Sequence, residues 1–311
     1  MSSVSVSPMS VSPDRRICIV ADDFGLHQNV DSACLALIEL GHLQGISCMA
    51  GGPSWRASAP QVRDLPHSAA EIGLHLDLTE RPLTLPRQAL STVIARAYLR
   101  QLDSSAIRAE IRAQLNEFES QMGRAPDYID GHQHIHQLPV IRDALLAEIE
   151  SRYPVGLKPW LRNTVPGWSS ERSFDFLSSA HRKASIIGWL GARALNRTAS
   201  ERGVATSPGL LGVYGFDQDS SGYTALLRLW IAHARDGALV MCHPALGEVP
   251  SDAIAAARQT EYQVLTGPTL PDLLSSTGVR QQLMKAIIGT PGNSHLRSDD
   301  GSEPEDSARS R

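Results

Sequence analysis

Polar residues able to do chemistry stand at the end of four apolar runs: Asp22 and Asp23 after ICIVA, His75 in IGLHLDLT, His132 with His134 and His136 in YIDGHQHIH, and His243 after ALVMC. Parallel α/β folds bind ligands beyond the carboxyl ends of their strands, so these positions come first in a search for a site. Consecutive residues of an extended segment point to opposite sides, so one of Asp22 and Asp23 can hold a metal while the other faces water or a substrate. The competing reading makes DDFG a turn whose acids cap the next helix. In HQHIH, residues at i, i+2 and i+4 share one face if the segment is extended, and neutral imidazoles suit divalent metals. The bland alternative is a surface histidine cluster. One carboxylate with two imidazoles leaves positions open on an ion for water and a substrate oxygen, as metal-assisted hydrolysis requires. His243, just before Pro244, is placed to donate a proton. Taken alone, His75 fits a structural role better than a functional one, and His243 fits either equally well.

The elements that would position these residues follow from the apolar patterning. RRICIVADD reads as a buried strand ending in the two acids, and DSACLALIELG as a helix stopped by Gly41. GISCMAGG and AEIGLHLDLT read as the next strands. SSAIRAEIRAQLNEFESQMG is a helix with a Ser cap, with Ile107, Ile111, Leu115 and Phe118 on one face, and with Gly123 at its end. PDYIDGHQHIH is a strand running into a His-rich loop, followed by a helix over LPVIRDALLAEIESRY and a strand in GLKPWLR. Between Asn163 and Ser207 the pattern supports a helix over Phe174 to Leu195 and nothing more. GLLGVYG, YTALLRLWIAHARDG and ALVMCHP repeat strand, helix and strand, and AIAAARQTEYQVLTG is a further helix. Alternating strands and helices imply a parallel sheet.

Composition narrows the classes. The chain has 311 residues, 42% hydrophobic and 20% charged, compatible with one large core. Residues 15–290 are expected to form one domain between polar tails at 1–14 and 291–311, which lack apolar periodicity. A net charge of -4 without a basic stripe argues against nucleic acid as a partner. Cys18, Cys34, Cys48 and Cys242 lie in apolar runs without a CxxC pair, so they read as reduced core thiols. Neither an h-region nor an apolar run of membrane-spanning length is present, which makes a cytoplasmic location the default expectation.

In chain order, ADDFG, GLHLDLT, DGHQHIH and MCHP resemble the motifs of the YdjC-like carbohydrate deacetylases, a family that includes chitooligosaccharide and hopanoid-associated deacetylases. The resemblance runs from Arg16 to Leu265. It implies a distorted or incomplete parallel (β/α) barrel-like fold in a single α/β domain, and hydrolysis of the N-acetyl group of an acetylated amino sugar or oligosaccharide. Carried over by position, it implies Asp22 as general base, Asp23, His75 and His132 as ligands of one divalent ion, His243 as general acid, and Arg162 beside the catalytic carboxylate. His134 and His136 are fallback ligands, and Asp77 and Thr79 are candidates for outer or substrate contacts. Ligand softness favours Zn2+ or another first-row ion, whereas the resemblance implies Mg2+, so both stay open. Two rivals use the same residues: a two-metal phosphoesterase, and a sugar-binding or metal-storage protein without catalysis. The expected partner is the acetylated amino-sugar substrate, with a homodimer left open.

Overall fold

The computed structural model describes residues 15–168 and 178–289, with the backbone alone for 178–183. The two tails expected from the sequence, and the start of the helix expected from Phe174, lie outside the described residues.

Seven strands form one parallel sheet: β1 (Arg16–Phe24), β2 (Gly45–Cys48), β3 (Glu71–Leu76), β4 (Tyr128–Gly131), β5 (Trp160–Leu161), β6 (Leu210–Leu211) and β7 (Ala238–Cys242). Their spatial order is β5-β4-β3-β2-β1-β7-β6, and a short β8 (Arg280–Gln281) pairs with the start of β1. The sheet curls into a half-barrel. Its two ends approach through single parallel bridges, Leu161 with Thr206 and Pro166 with Leu210, in place of a continuous ladder. This is the distorted barrel that the sequence implied. The fully buried strands explain its near-continuous apolar runs, because helices cover the outer face.

Helices α1 (Gln28–Glu39), α2 (Trp55–Arg63), α3 (Leu90–Tyr98), α4 (Ser104–Met122), α5 (Ile141–Arg152), α6 (Ser178–Trp189), α7 (Ala192–Glu201), α8 (Ser220–His233), α9 (Ala255–Thr266), α10 (Thr269–Thr277) and α11 (Met284–Ile288) complete the described chain. Helix α4 buries Ile107, Ile111, Leu115 and Phe118 as expected and ends at left-handed Gly123. Its cap is a correction: the Asp103 carboxylate, not a serine, accepts from the Ser105 and Ala106 N–H groups. The single helix expected up to Leu195 is two, broken at Gly191, whose φ of 131° disfavours any side chain. All four cysteines are free and buried, as read from their apolar surroundings. Among the described residues no helix is long and apolar enough to cross a membrane.

Close packing at the sheet sets one sequence choice near the site. A Cβ on Gly73 would lie 2.4 Å from the Tyr128 ring, which stacks on Trp160 at a centroid distance of 4.3 Å. Only glycine lets that tyrosine cross β3 and reach Ser47 with its hydroxyl, 2.9 Å away.

Candidate active site

Every candidate residue sits at or just beyond the carboxyl end of a strand: Asp22 and Asp23 on β1, His75 on β3, His132 after β4, Arg162 after β5 and His243 after β7. The curled sheet brings them together at one face, the usual location of a barrel active site. Side chains of Asp22, Asp23, His75, His132, Arg162 and His243 are all buried.

The paired acids diverge because β1 breaks between them. Asp23 has a φ of 69°, a left-handed conformation that turns it away from its neighbour. The turn is held from behind by Asp31, whose carboxylate accepts from Gly25 N–H and Ser58 Oγ, each at 2.6 Å. Capping of α1 falls to His27, whose Nδ1 accepts from Asn29 N–H at 3.1 Å. Neither Asp22 nor Asp23 is a helix cap, so that competing reading is set aside.

Asp22 meets the Arg162 guanidinium in a bidentate pair, with both N–H to oxygen distances 2.6 Å. Arg162 also reaches Asp130 Oδ2 at 2.5 Å and Ser47 Oγ at 3.0 Å. Burial opposes ionisation of Asp22, but the Arg162 charge outweighs it and holds the carboxyl below the usual range. His243 Nε2 lies 3.9 Å from Asp22 Oδ2. Its backbone N–H donates to Glu261 Oε2 at 2.5 Å, and Phe216 stands edge-on to its ring at 5.1 Å.

Asp23 turns one oxygen to each side. Oδ2 accepts from Arg258 Nη2 at 2.7 Å, and Oδ1 faces His75 Nε2 at 3.3 Å and His132 Nδ1 at 3.1 Å. His75 Nδ1 lies 2.6 Å from Asp130 Oδ1, so with Nδ1 protonated its Nε2 lone pair points at the Asp23 carboxylate. Two electron-rich atoms face each other there, an arrangement that calls for a cation between them. The negative charge there also favours protonation of the rings: despite burial, Asp130 and Asp22 push His75 up to about 9, and Asp23 raises His132. Donor atoms of Asp23, His75 and His132 lie within 4.8 Å of one another, so a divalent ion fits this set. Asp22, His75 and Asp130 also converge within that distance. There the Arg162 guanidinium already pairs with both carboxylates and supplies the positive charge.

The HQHIH motif corrects the sequence reading. His132–Gln137 is a short 3-10 segment, not an extended one, and Gln133 (φ 54°) and His134 (φ 60°) are left-handed, so the histidines do not share a face. His132 alone joins the cluster. His136 donates from Nε2 to the Arg162 carbonyl at 2.9 Å, while the buried Nδ1 of His134 has no hydrogen-bond partner among the described residues. Gly131 makes this turn feasible, since a Cβ there would lie 2.9 Å from His136 N. The fallback ligands His134 and His136 fall outside both converging sets. Asp77 binds the Thr79, Glu80 and Arg81 N–H groups, which makes it the anchor of a loop.

Asp130, Ser47, Arg258 and Glu261 were missed by the sequence reading. Asp130 follows the apolar YI of β4 and satisfied the same strand-end criterion as the chosen residues. Arg258 and Glu261 come from the middle of α9, and only the packing of that helix reveals them.

Residues 16–276 match the family described as YdjC-like protein. A carbohydrate deacetylase of Homo sapiens is 27% identical over 296 residues, covering 86% of this chain and 90% of its own length. A chitooligosaccharide deacetylase of Yersinia enterocolitica is 25% identical over 277 residues, covering 86% of this chain and 97% of its own. Among solved structures, an Enterococcus faecalis V583 protein whose name refers to cellobiose-phosphate cleavage superposes with a TM-score of 0.60 at 18% identity, over 89% of this chain and 100% of its own. This last likeness concerns the fold.

Proposed function

We propose that this chain, which belongs to the YdjC-like family, is a metal-dependent carbohydrate deacetylase that hydrolyses the N-acetyl group of an amino sugar to acetate and a free amine. The observation that carries the reading is the division of labour between adjacent acids: Asp23 faces two imidazoles, while Asp22 is held by Arg162 and stands beside His243.

Asp23, His75 and His132 would hold one divalent ion, which when bound supplies Lewis-acid charge for the acetyl carbonyl. Arg258 fixes the Asp23 carboxylate, and Asp130 fixes the tautomer and ring orientation of His75. Asp22 is ionised at neutral pH and accepts the proton of the attacking water as its oxygen bonds to the acetyl carbon. Arg162 keeps that carboxylate oriented. His243 gives a proton to the departing amine nitrogen, and Glu261 holds its backbone in place. Each proton-transfer group is expected to contribute about 10² to 10⁴ in rate.

The two-nitrogen, one-oxygen donor set favours Zn2+ or another first-row ion over Mg2+. A second ion is disfavoured because the Asp22–His75–Asp130 set already contains a guanidinium, which counts against the phosphoesterase rival. The four free cysteines accord with a cytoplasmic location. Acetate release from acetylated amino sugars, measured on metal-stripped and metal-restored protein, tests the reading. Release that returns with the metal supports it; folded, metal-loaded protein that binds sugars and releases no acetate overturns it.

A further inference from the structure

Asp22, Asp23 and Asp130 each have a guanidinium as counter-charge: Asp22 and Asp130 share Arg162, and Asp23 takes Arg258. Glu261, the carboxylate behind His243, has none. It is fully buried in the middle of α9, and both oxygens accept from neutral donors, Oε1 from the Tyr214 hydroxyl at 2.6 Å and Oε2 from the His243 N–H at 2.5 Å. Among the described residues the one basic group within ion-pair distance is the His243 ring, whose Nδ1 lies 3.9 Å from Oε1.

His243 shows the matching deficit. Its Nε2 is turned to Asp22 Oδ2 at 3.9 Å, and its buried Nδ1 has no hydrogen-bond partner among the described residues. Phe216 sets the ring from the side, edge-on at 5.1 Å, and is itself left-handed with a φ of 61°. The ionisable groups around the pair are Asp22 with its Arg162, the Tyr214 and Tyr223 hydroxyls and the Cys242 thiol. Burial pushes both tyrosines and the thiol up, so these stay neutral. A buried carboxylate without a cation is costly, and the proton best placed to relieve it is one on Nδ1. Hydrogen bonds in catalytic pairs are often this long in the free enzyme and tighten in the substrate complex.

We infer that Glu261 is a positioning residue for His243: its carboxylate holds a proton on Nδ1 and balances the charge of the doubly protonated ring, which leaves Nε2 to deliver its proton to the departing amine. Which ring nitrogen keeps a proton is set by the hydrogen-bond partner beside it. In the delivery step the electron pair of the breaking C–N bond stays with nitrogen and takes the Nε2 proton. His243 is left neutral with Nδ1–H facing Glu261, which takes up no proton. The delivery step rests on the deacetylase reading above; the pairing does not.

The test is the protonation state of His243 in the zinc-loaded protein, read from ring nitrogen NMR shifts and assigned by the signals that His243→Gln removes. Wild type is expected to carry a proton on Nδ1. Glu261→Gln keeps the size of the side chain, and its amide oxygen must face the His243 N–H, which turns the amide N–H groups toward Tyr214 and Nδ1. A donor then faces Nδ1, so the ring proton is expected to move to Nε2. A wild-type Nδ1 without a proton, or the same ring state in both proteins, overturns the inference, and the wild-type spectrum decides alone if the variant does not fold. In kinetics, kcat of Glu261→Gln for acetate release from an N-acetylated amino sugar should fall by about 10²-fold. The leaving phenolate of para-nitrophenyl acetate needs no proton, so the ratio of ester to amide turnover should rise by a similar factor. Equal loss on both substrates is what a merely structural role produces, and it overturns the positioning role. If no acetylated sugar is hydrolysed, the deacetylase reading falls and takes the delivery step with it, while the spectrum still decides the pairing.

Discussion

Asp22 and Asp23 are neighbours in sequence, equally buried, and each is held by an arginine, yet the two halves of the site around them differ in kind. Around Asp22 the arginine takes both oxygens, and the nearest imidazole nitrogen of His243 is 3.9 Å away. Around Asp23 the arginine takes one oxygen and leaves the other to two imidazoles at 3.3 and 3.1 Å. A bidentate guanidinium keeps a carboxylate ionised and oriented as an acceptor, at a cost in basicity; a half-engaged carboxylate among lone pairs suits a cation. The single left-handed residue at Asp23 creates this difference. One backbone torsion therefore separates the two environments, to which the proposal assigns proton transfer and cation binding.

The largest effect is expected from breaking the cation half. Asp23→Asn removes the charge that draws the imidazoles together, so bound metal should vanish and acetate release should fall to background. Arg258 would lose one of its two carboxylate partners and keep Asp252, so a loss of about 1.5 to 3 kcal/mol in stability can accompany this substitution. His132→Gln leaves the Asp23–Arg258 pair intact and should still lose the ion. Retention of stoichiometric metal in folded His132→Gln, measured by atomic emission, would show that the ligand set is wrong.

Asp22→Asn probes the other half. It keeps the shape of the side chain but removes the proton acceptor, so kcat should drop by about 10² to 10⁴ with metal content near the wild-type value. His243→Gln should behave alike. If turnover per folded, metal-loaded molecule survives in Asp22→Asn, the two halves do not divide the work as proposed.

Asp130 belongs to both halves, since it accepts from Arg162 at 2.5 Å and lies 2.6 Å from His75 Nδ1. Asp130→Asn is accordingly expected to weaken metal affinity by about 10- to 100-fold, and to slow the reaction further even at saturating metal. Loss of affinity alone, with full kcat at saturation, would confine Asp130 to the cation half and sharpen the division.

How much of this could be read from the chain depends on where each residue sits. Strand-end residues were legible because an acid or histidine that closes an apolar run must sit where a buried strand leaves the sheet: Asp22, Asp23, His75, His132 and His243 all reach the site. Arg162 was legible through family resemblance alone, since its strand is only two residues long. The turn at HQHIH was misread because left-handed Gln133 and His134 carry no glycine to announce it. Arg258 and Glu261 were invisible in a helix whose polar residues look solvent-facing, although both are buried. Helix α2 was hidden by Pro60, which breaks the usual helical pattern. Local pattern thus exposes what a strand carries to its end, and conceals what a helix delivers by packing against the sheet.

The smallest expected effect concerns the support beneath Arg162 and appears only on acidification. His136 is buried with its Nε2–H on the Arg162 carbonyl and its Nδ1 without a partner among the described residues. Burial disfavours a second proton on this ring and lowers its pKa from 6.5 to about 4. Between those values the unfolded chain binds more protons than the folded one, so stability falls as pH drops through this window. From pH 7 to pH 5.5 this single group should cost about 1 kcal/mol, or roughly 2 °C in Tm for a chain of this size. His136→Gln retains a donor near the position of Nε2 and cannot take up a proton, so its Tm should decline less over the same interval. The difference in slope between the two proteins isolates this histidine from the carboxylates and imidazoles that titrate alongside it. Parallel Tm slopes would mean that His136 is protonated equally in the folded and unfolded states, contrary to its burial, and would remove the acid-sensitive support from beneath Arg162.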